Sequence, residues 1–121
     1  MVDLGNLMGA FKFVSEVEKY NGDIKKKKAE AEEKGEEFTK TPLVPVLGCE
    51  FYISERPEQK QFTKDDPDRR TNMVLLAKNF QGYKNLAKLS SLGYTNGYYA
   101  GVPRISKKQI AEYKENLIAV S

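Results

Sequence analysis

Along this 121-residue chain, short apolar runs alternate with segments of helical period. The strongest run is Val46-Leu47-Gly48-Cys49-Glu50-Phe51-Tyr52-Ile53, whose apolar, branched and aromatic side chains predict a buried strand. Pro42 and Pro45 bound its start, since proline is tolerated at strand starts and edges. Met73-Val74-Leu75-Leu76-Ala77 predicts a second buried strand, and Leu117-Ile118-Ala119-Val120 a last one. Between them the period changes. Leu7, Ala10, Phe11, Val14 and Val17 recur at three and four, predicting a helix that runs to about Tyr20 and closes at Asn21-Gly22. Asn79 is placed to cap a helix from about Phe80 to Leu92, with Tyr83, Leu86, Ala87 and Leu89 inside. Ser106-Lys107-Lys108-Gln109 is a capping box, flanked by Ile105 and Ile110 as a hydrophobic staple, and its helix should end near Glu115-Asn116. Strands alternating with helices predict an α/β fold, with a parallel sheet and crossover helices.

Three polar stretches interrupt this pattern. Residues 23–41 form a charged insertion in which the basic run Lys25–Lys28 is balanced by five glutamates up to Glu37. A helical projection or a mobile insertion fits such balanced charge better than a phosphate-binding tract. Residues 54–70 carry loop chemistry, a long connection between two strands. Tyr94, Tyr98 and Tyr99 lie in a glycine-rich loop beside Arg104, an arrangement that stacks bases in some single-strand binders but more often packs on itself.

Charge divides the chain: residues 1–59 carry 9 basic and 12 acidic side chains, residues 60–121 carry 11 and 5. The basic half raises nucleic-acid contact as a reading, with Arg69, Arg70, Lys78, Lys84, Lys88 and Arg104 as its residues. There is no histidine, which removes the commonest metal ligand and neutral-pH acid–base group. A lone cysteine, Cys49, forms no internal disulfide and fits a reducing cytoplasm. No apolar run approaches the roughly 20 residues of a bilayer span, so no membrane partner is expected.

Glu50 is the anomaly in the apolar strand. A carboxylate there is costly to bury unless it meets a cation or a hydrogen-bond donor, or faces a polar cavity. Its motif is one of five in a fixed order. These are Asp3-Leu4-Gly5-Asn6-Leu7-Met8-Gly9-Ala10, Gly48-Cys49-Glu50-Phe51-Tyr52, Val74–Asn79 with Gly82–Leu86, Pro103-Arg104-Ile105 and Asn116–Ala119. That order resembles the PHP (polymerase and histidinol phosphatase) domain of the bacterial replicative DNA polymerase III alpha subunit, over nearly the whole chain.

The resemblance implies a partial PHP-type distorted (β/α) barrel of about three to four mostly parallel strands. It implies one incomplete domain over residues 1–121, an internal slice from the end of the family's second strand to about its fifth. It also implies partners: the remainder of the polymerase chain, a proofreading exonuclease subunit, and DNA through the parent protein. Where metal-binding members of the family read Thr-Asp-His-Gly-Asn, this chain reads Val2-Asp3-Leu4-Gly5-Asn6, and a further histidine position aligns with Asn72. Asp3 and Glu50 are thus surviving ligand positions and Leu4 and Asn72 lost ones. A catalytic cluster needs several nitrogen and oxygen donors on two or three ions, so no resident metal and no catalytic residue are expected. The most that Asp3 and Glu50 could hold is one loosely bound Mg2+ or Mn2+. Unpaired edges on such a slice predict self-association. Two other readings stand beside this structural or docking role: a basic nucleic-acid-binding module, and a residual metal-dependent phosphoesterase.

Overall fold

A computed structural model describes residues 1–120 as strands β1 (Val2–Leu4), β2 (Gly48–Ile53), β3 (Thr71–Ala77), β4 (Arg104–Ile105) and β5 (Leu117–Val120), with helices α1 (Ala10–Lys34), α2 (Phe80–Thr95) and α3 (Lys107–Glu112). They form two compact units, residues 1–8 with 46–121, and Gly9–Pro45.

The first unit is a five-stranded sheet ordered β1-β2-β3-β5, with β4 also on β2. β2 is its axis. Along one edge β1 pairs in parallel with the first half of β2, Val2 with Gly48 through Leu4 with Glu50. β4 continues that edge in parallel, Tyr52 with Arg104 and Ile53 with Ile105. On the other edge β3 runs antiparallel, from Gly48 with Leu76 to Ile53 with Thr71, and β5 runs antiparallel to β3. The α/β class and the partial barrel hold, but the sheet is mixed rather than mostly parallel, and has five strands rather than three to four. Strand direction follows the connection. The link over 54–70 contains no helix, and a chain returning without a crossover lies antiparallel to the strand it left.

Strand alternation splits the sheet into two faces. Cys49, Phe51 and Leu75 meet Leu86 and Leu89 of α2 and Ile105 of β4 in one buried cluster. Leu7, Met73, Leu92, Ile110, Tyr113 and Leu117 pack around it. Each fully buried large apolar side chain there contributes roughly 1.5–3 kcal/mol. Helix α2 presents Gly82, Asn85, Leu86, Leu89 and Gly93 inward, a stripe of helical period. Asn79 caps it, accepting from Gly82 N at 3.0 Å. Gly82 has no substitute, because a Cβ would overlap the carbonyl of Asn116. That turn is held against α2 by Asn85 Nδ2 donating to Glu115 O at 2.9 Å and by Lys78 N donating to Asn116 O at 2.9 Å. Asn116 itself is left-handed, with φ 61°. The capping box forms as expected: Ser106 Oγ accepts from Gln109 N at 3.1 Å, and Gln109 Oε1 accepts from Ser106 N at 2.9 Å. Helix α3 then stops at Glu112, a turn earlier than expected.

The second unit corrects one boundary. The helix expected to close at Asn21-Gly22 continues through both to Lys34. Asn21 is spent on another contact. Its Nδ2 donates to Leu43 O at 2.8 Å and its Oδ1 accepts from Leu43 N at 2.7 Å, tethering the returning segment. Ala10, Val17, Ile24 and Ala31 are buried at seven-residue intervals, while Phe11, expected inside, is 85% exposed. The stop comes at left-handed Gly35, φ 69°, whose N–H reaches Ala31 O and Glu32 O. The balanced-charge stretch from Lys25 is therefore helical as far as Lys34.

Candidate metal centre

The sequence places Glu50 in an apolar strand, and the register decides its neighbours. Glu50 lies opposite Val74 on β3 and Leu4 on β1. One step away on β3, Asn72 Nδ2 donates to Glu50 Oε1 at 2.9 Å. Half-buried Glu50 is thus satisfied by an amide donor, with apolar side chains on the paired positions of both flanking strands. Asp3 pairs with Cys49 instead, and alternation therefore puts it on the other face of the sheet. The two carboxylates do not share a face. Glu50 and Asn72 are brought together; Asp3 and Glu50 are not.

The chemistry of this donor set does not fit a two- or three-ion cluster. Leu4 has no lone pair, Asn72 is a neutral ligand already donating to Glu50, and Asp3 lies on the opposite face. Among the described residues no three His, Cys, Asp or Glu side chains converge as metal ligands do. Cys49 supplies no nucleophile either. Burial, above all, pushes its thiol up to about 12, the Asp3 and Glu50 charges push the same way, and a hydrogen bond from Gly5 opposes them. A thiol so placed stays protonated and inert at neutral pH.

The basic residues separate. Arg69 and Arg70 precede β3 and Lys78 follows it, at opposite ends of a seven-residue strand, roughly 26 Å or more apart at strand rise. Lys84 lies over the Phe80 ring at 4.9 Å and Lys88 over Tyr113 at 5.6 Å. Arg70 pairs with Asp68 at 3.1 Å and lies 5.7 Å from the Tyr52 ring centre. Arg104 is not a nucleic-acid contact at all, because it is completely buried. Its Nε donates to Gly97 O at 2.8 Å, its Nη1 to Asp68 Oδ1 at 2.9 Å, and its Nη2 to Pro57 O and Gln59 O at 2.8 Å each. Phe62 and Tyr99 lie 5.5 and 5.2 Å from its guanidinium. Tyr94, expected in the glycine-rich loop, lies instead in the last turn of α2 and stacks on Tyr98 of the loop at 6.0 Å, both rings staying partly exposed.

This anchor was missed by sequence reasoning. Arg104 sits in a two-residue strand, too short for any periodic signal, and its partners Asp68, Pro57 and Gln59 lie 36 to 47 residues away. The one available sign was its place between Pro103 and Ile105, ahead of the hydrophobic staple.

Comparison with known proteins fits this architecture. The PHP domain family model matches residues 1–121. The chain is 33% identical over 121 residues to the DNA polymerase III subunit alpha of Borreliella burgdorferi, covering all of this chain and 9% of that protein. It is 34% identical over 123 residues to the DNA polymerase III subunit alpha of Chlamydia pneumoniae, covering all of this chain and 8% of that one. For the Aquifex aeolicus subunit the figures are 33% over 126 residues, again all of this chain and 9% of the relative. The chain thus spans less than a tenth of the length of the curated relatives it matches. With its mixed sheet around β2 and the Gly-Cys-Glu-Phe-Tyr strand at the centre, this chain belongs to the PHP domain family, as a segment of the kind found in DNA polymerase III alpha subunits.

Proposed function

We propose that this segment has a degenerate metal site and a structural or docking role within a cytoplasmic replicative polymerase, contacting the remainder of that chain and a proofreading exonuclease subunit. The observation that carries this reading is the surroundings of Glu50: an Asn72 donor at 2.9 Å, with Leu4 and Val74 on either side. A carboxylate held this way orders the middle of a sheet. It lacks the converging partners that lower the pKa of a metal-bound water.

Exposed apolar side chains support the docking part. Val2, Leu4, Ile118 and Val120 lie on the Glu50 face by register and are 43–49% exposed. The sheet ends on β1 and β4 at one edge and on β5 at the other, and such edges pair readily with further strands. By itself the chain therefore self-associates, a second copy covering these edges and the exposed apolar face.

The catalytic half is tested by incubating the purified chain with manganese or zinc and a 3′-labelled oligonucleotide. No turnover above a Glu50→Ala control is expected. Metal-dependent cleavage that Glu50→Ala abolishes would overturn the reading.

A further inference from the structure

The loop between β2 and β3 encloses a cavity of about 390 Å3, within the roughly 300–1,000 Å3 of small-molecule sites. It is separate from Glu50. Ile53 and Thr71 line it, and they pair on the sheet face opposite to Glu50 and Asn72. Arg56, Arg69, Arg70 and Lys107 border it, against the carboxylates of Glu55 and Asp66.

The charges around it do not cancel. Asp66 is engaged by Arg56 through two contacts, at 2.5 and 3.3 Å, and by Gln59 Nε2 at 3.0 Å. Those partners hold its carboxyl below the usual carboxylate range. Asp68, behind the wall, is shared by two guanidiniums, Arg70 at 3.1 Å and buried Arg104 at 2.9 Å. One carboxylate between two cations leaves a positive excess; with Glu55 on the border counted, five cations stand against three carboxylates, a balance of +2. Arg69 and Lys107, both exposed, form no ion pair among the described residues. Ser54 is buried in the wall, and its Oγ accepts from Arg56 N at 3.2 Å, so its hydroxyl proton points elsewhere. Thr71 adds a second hydroxyl.

We propose that this cavity binds the phosphate group of a small molecule no larger than a mononucleotide, held by Arg69 and Lys107 with Arg70, Ser54 and Thr71 as further donors. A phosphate fits better than a carboxylate. Its three outer oxygens and near-double charge match two unpaired cations and two hydroxyls, where a carboxylate offers two oxygens and one charge. The ring of Phe62 on the wall gives an attached base or sugar an apolar surface.

The experiment is a 15N–1H titration of the whole chain with inorganic phosphate, thymidine 5′-monophosphate and thymidine at constant ionic strength. Saturable shifts confined to 53–56, 66–71 and 107 are expected for the two phosphates, with affinity reduced roughly tenfold or more in R69Q/K107Q. Both substituted residues are exposed, and unchanged spectra elsewhere verify that the variant folds. Tighter binding of the monophosphate than of phosphate identifies a nucleotide as the source, and equal binding identifies the free anion. No saturable shift, equal affinity in R69Q/K107Q, or thymidine binding as tightly as its monophosphate each overturns the proposal. An oligonucleotide without a terminal phosphate that binds as tightly also overturns it, in favour of an open basic surface.

Discussion

Replacing Arg104 by alanine removes four hydrogen bonds at 2.8–2.9 Å, one of them the ion pair with Asp68, from a site with no exposure to water. Three carbonyls and Asp68 lose a donor. Gly97 O keeps a bond from Arg104 N at 3.2 Å, and Asp68 keeps Arg70. Breaking one partner out of a buried ion pair costs about 3–5 kcal/mol, and each orphaned carbonyl about 1–3 kcal/mol. These costs overlap, because one water entering the void can serve several acceptors. The net expectation is about 4 kcal/mol, a large share of the roughly 5–15 kcal/mol that holds a domain folded. Arg104→Lys keeps the charge but gives three donors on one nitrogen where the fork serves four acceptors, so about 2 kcal/mol is expected. Urea unfolding followed by circular dichroism measures both. With a slope of about 1–3 kcal/mol per molar, the alanine variant shifts the midpoint by about 2 M. A loss below about 1 kcal/mol for Arg104→Ala, or an Arg104→Lys variant indistinguishable from the parent, would refute the anchor.

Two further outcomes follow from features described above. The folded thiol of Cys49 titrates near 12, above its unfolded value, so its contribution to stability is fully present below about pH 9 and lost as the pH rises from there towards 12. Unfolding free energies measured from pH 8 to 11 should decline more steeply in the parent chain than in Cys49→Ala, and parallel curves would contradict the burial argument. Light scattering at about 100 μM, where edge-exposed species associate, should give a mass above that of one chain, and a clean monomer would count against self-association.

How much of this was legible in the sequence varies by element. β2, β3 and β5 were readable because their apolar runs are short, continuous and bounded by turn residues. The Asn79 cap and the Ser106–Gln109 box were readable because capping depends on side chains only three positions apart. Non-local features were not. Asn21-Gly22 is a sound local stop signal, overridden because Leu43 takes both ends of the Asn21 amide. Strand direction could not follow from alternation alone, since β2 and β3 have no helix between them. At the candidate site, the pairing of Leu4 rather than Asp3 with Glu50 is a matter of register, and a shift of one residue would exchange the faces. Arg104 reads as one more surface cation until its four acceptors are seen converging from distant loops.

The parallel pairing of β1 with β2 has a consequence for how this chain tolerates change in length. Gly48 N donates to Met1 O at 2.9 Å and Gly5 N to Glu50 O at 2.7 Å, so the first unit pins both stems of the excursion from Gly9 to Pro45. With the stems fixed, length added in the largely exposed stretch after Gly35, outside α1 and its buried Ala10, Val17, Ile24 and Ala31, enters the folding equilibrium as a loop-closure entropy. That entropy grows with the logarithm of length, so doubling a flexible excursion costs only about 0.6 kcal/mol. The stretch 36–41, which carries no helix or strand, is therefore where this chain can gain or lose segments most cheaply, while β1 and β2 remain neighbours.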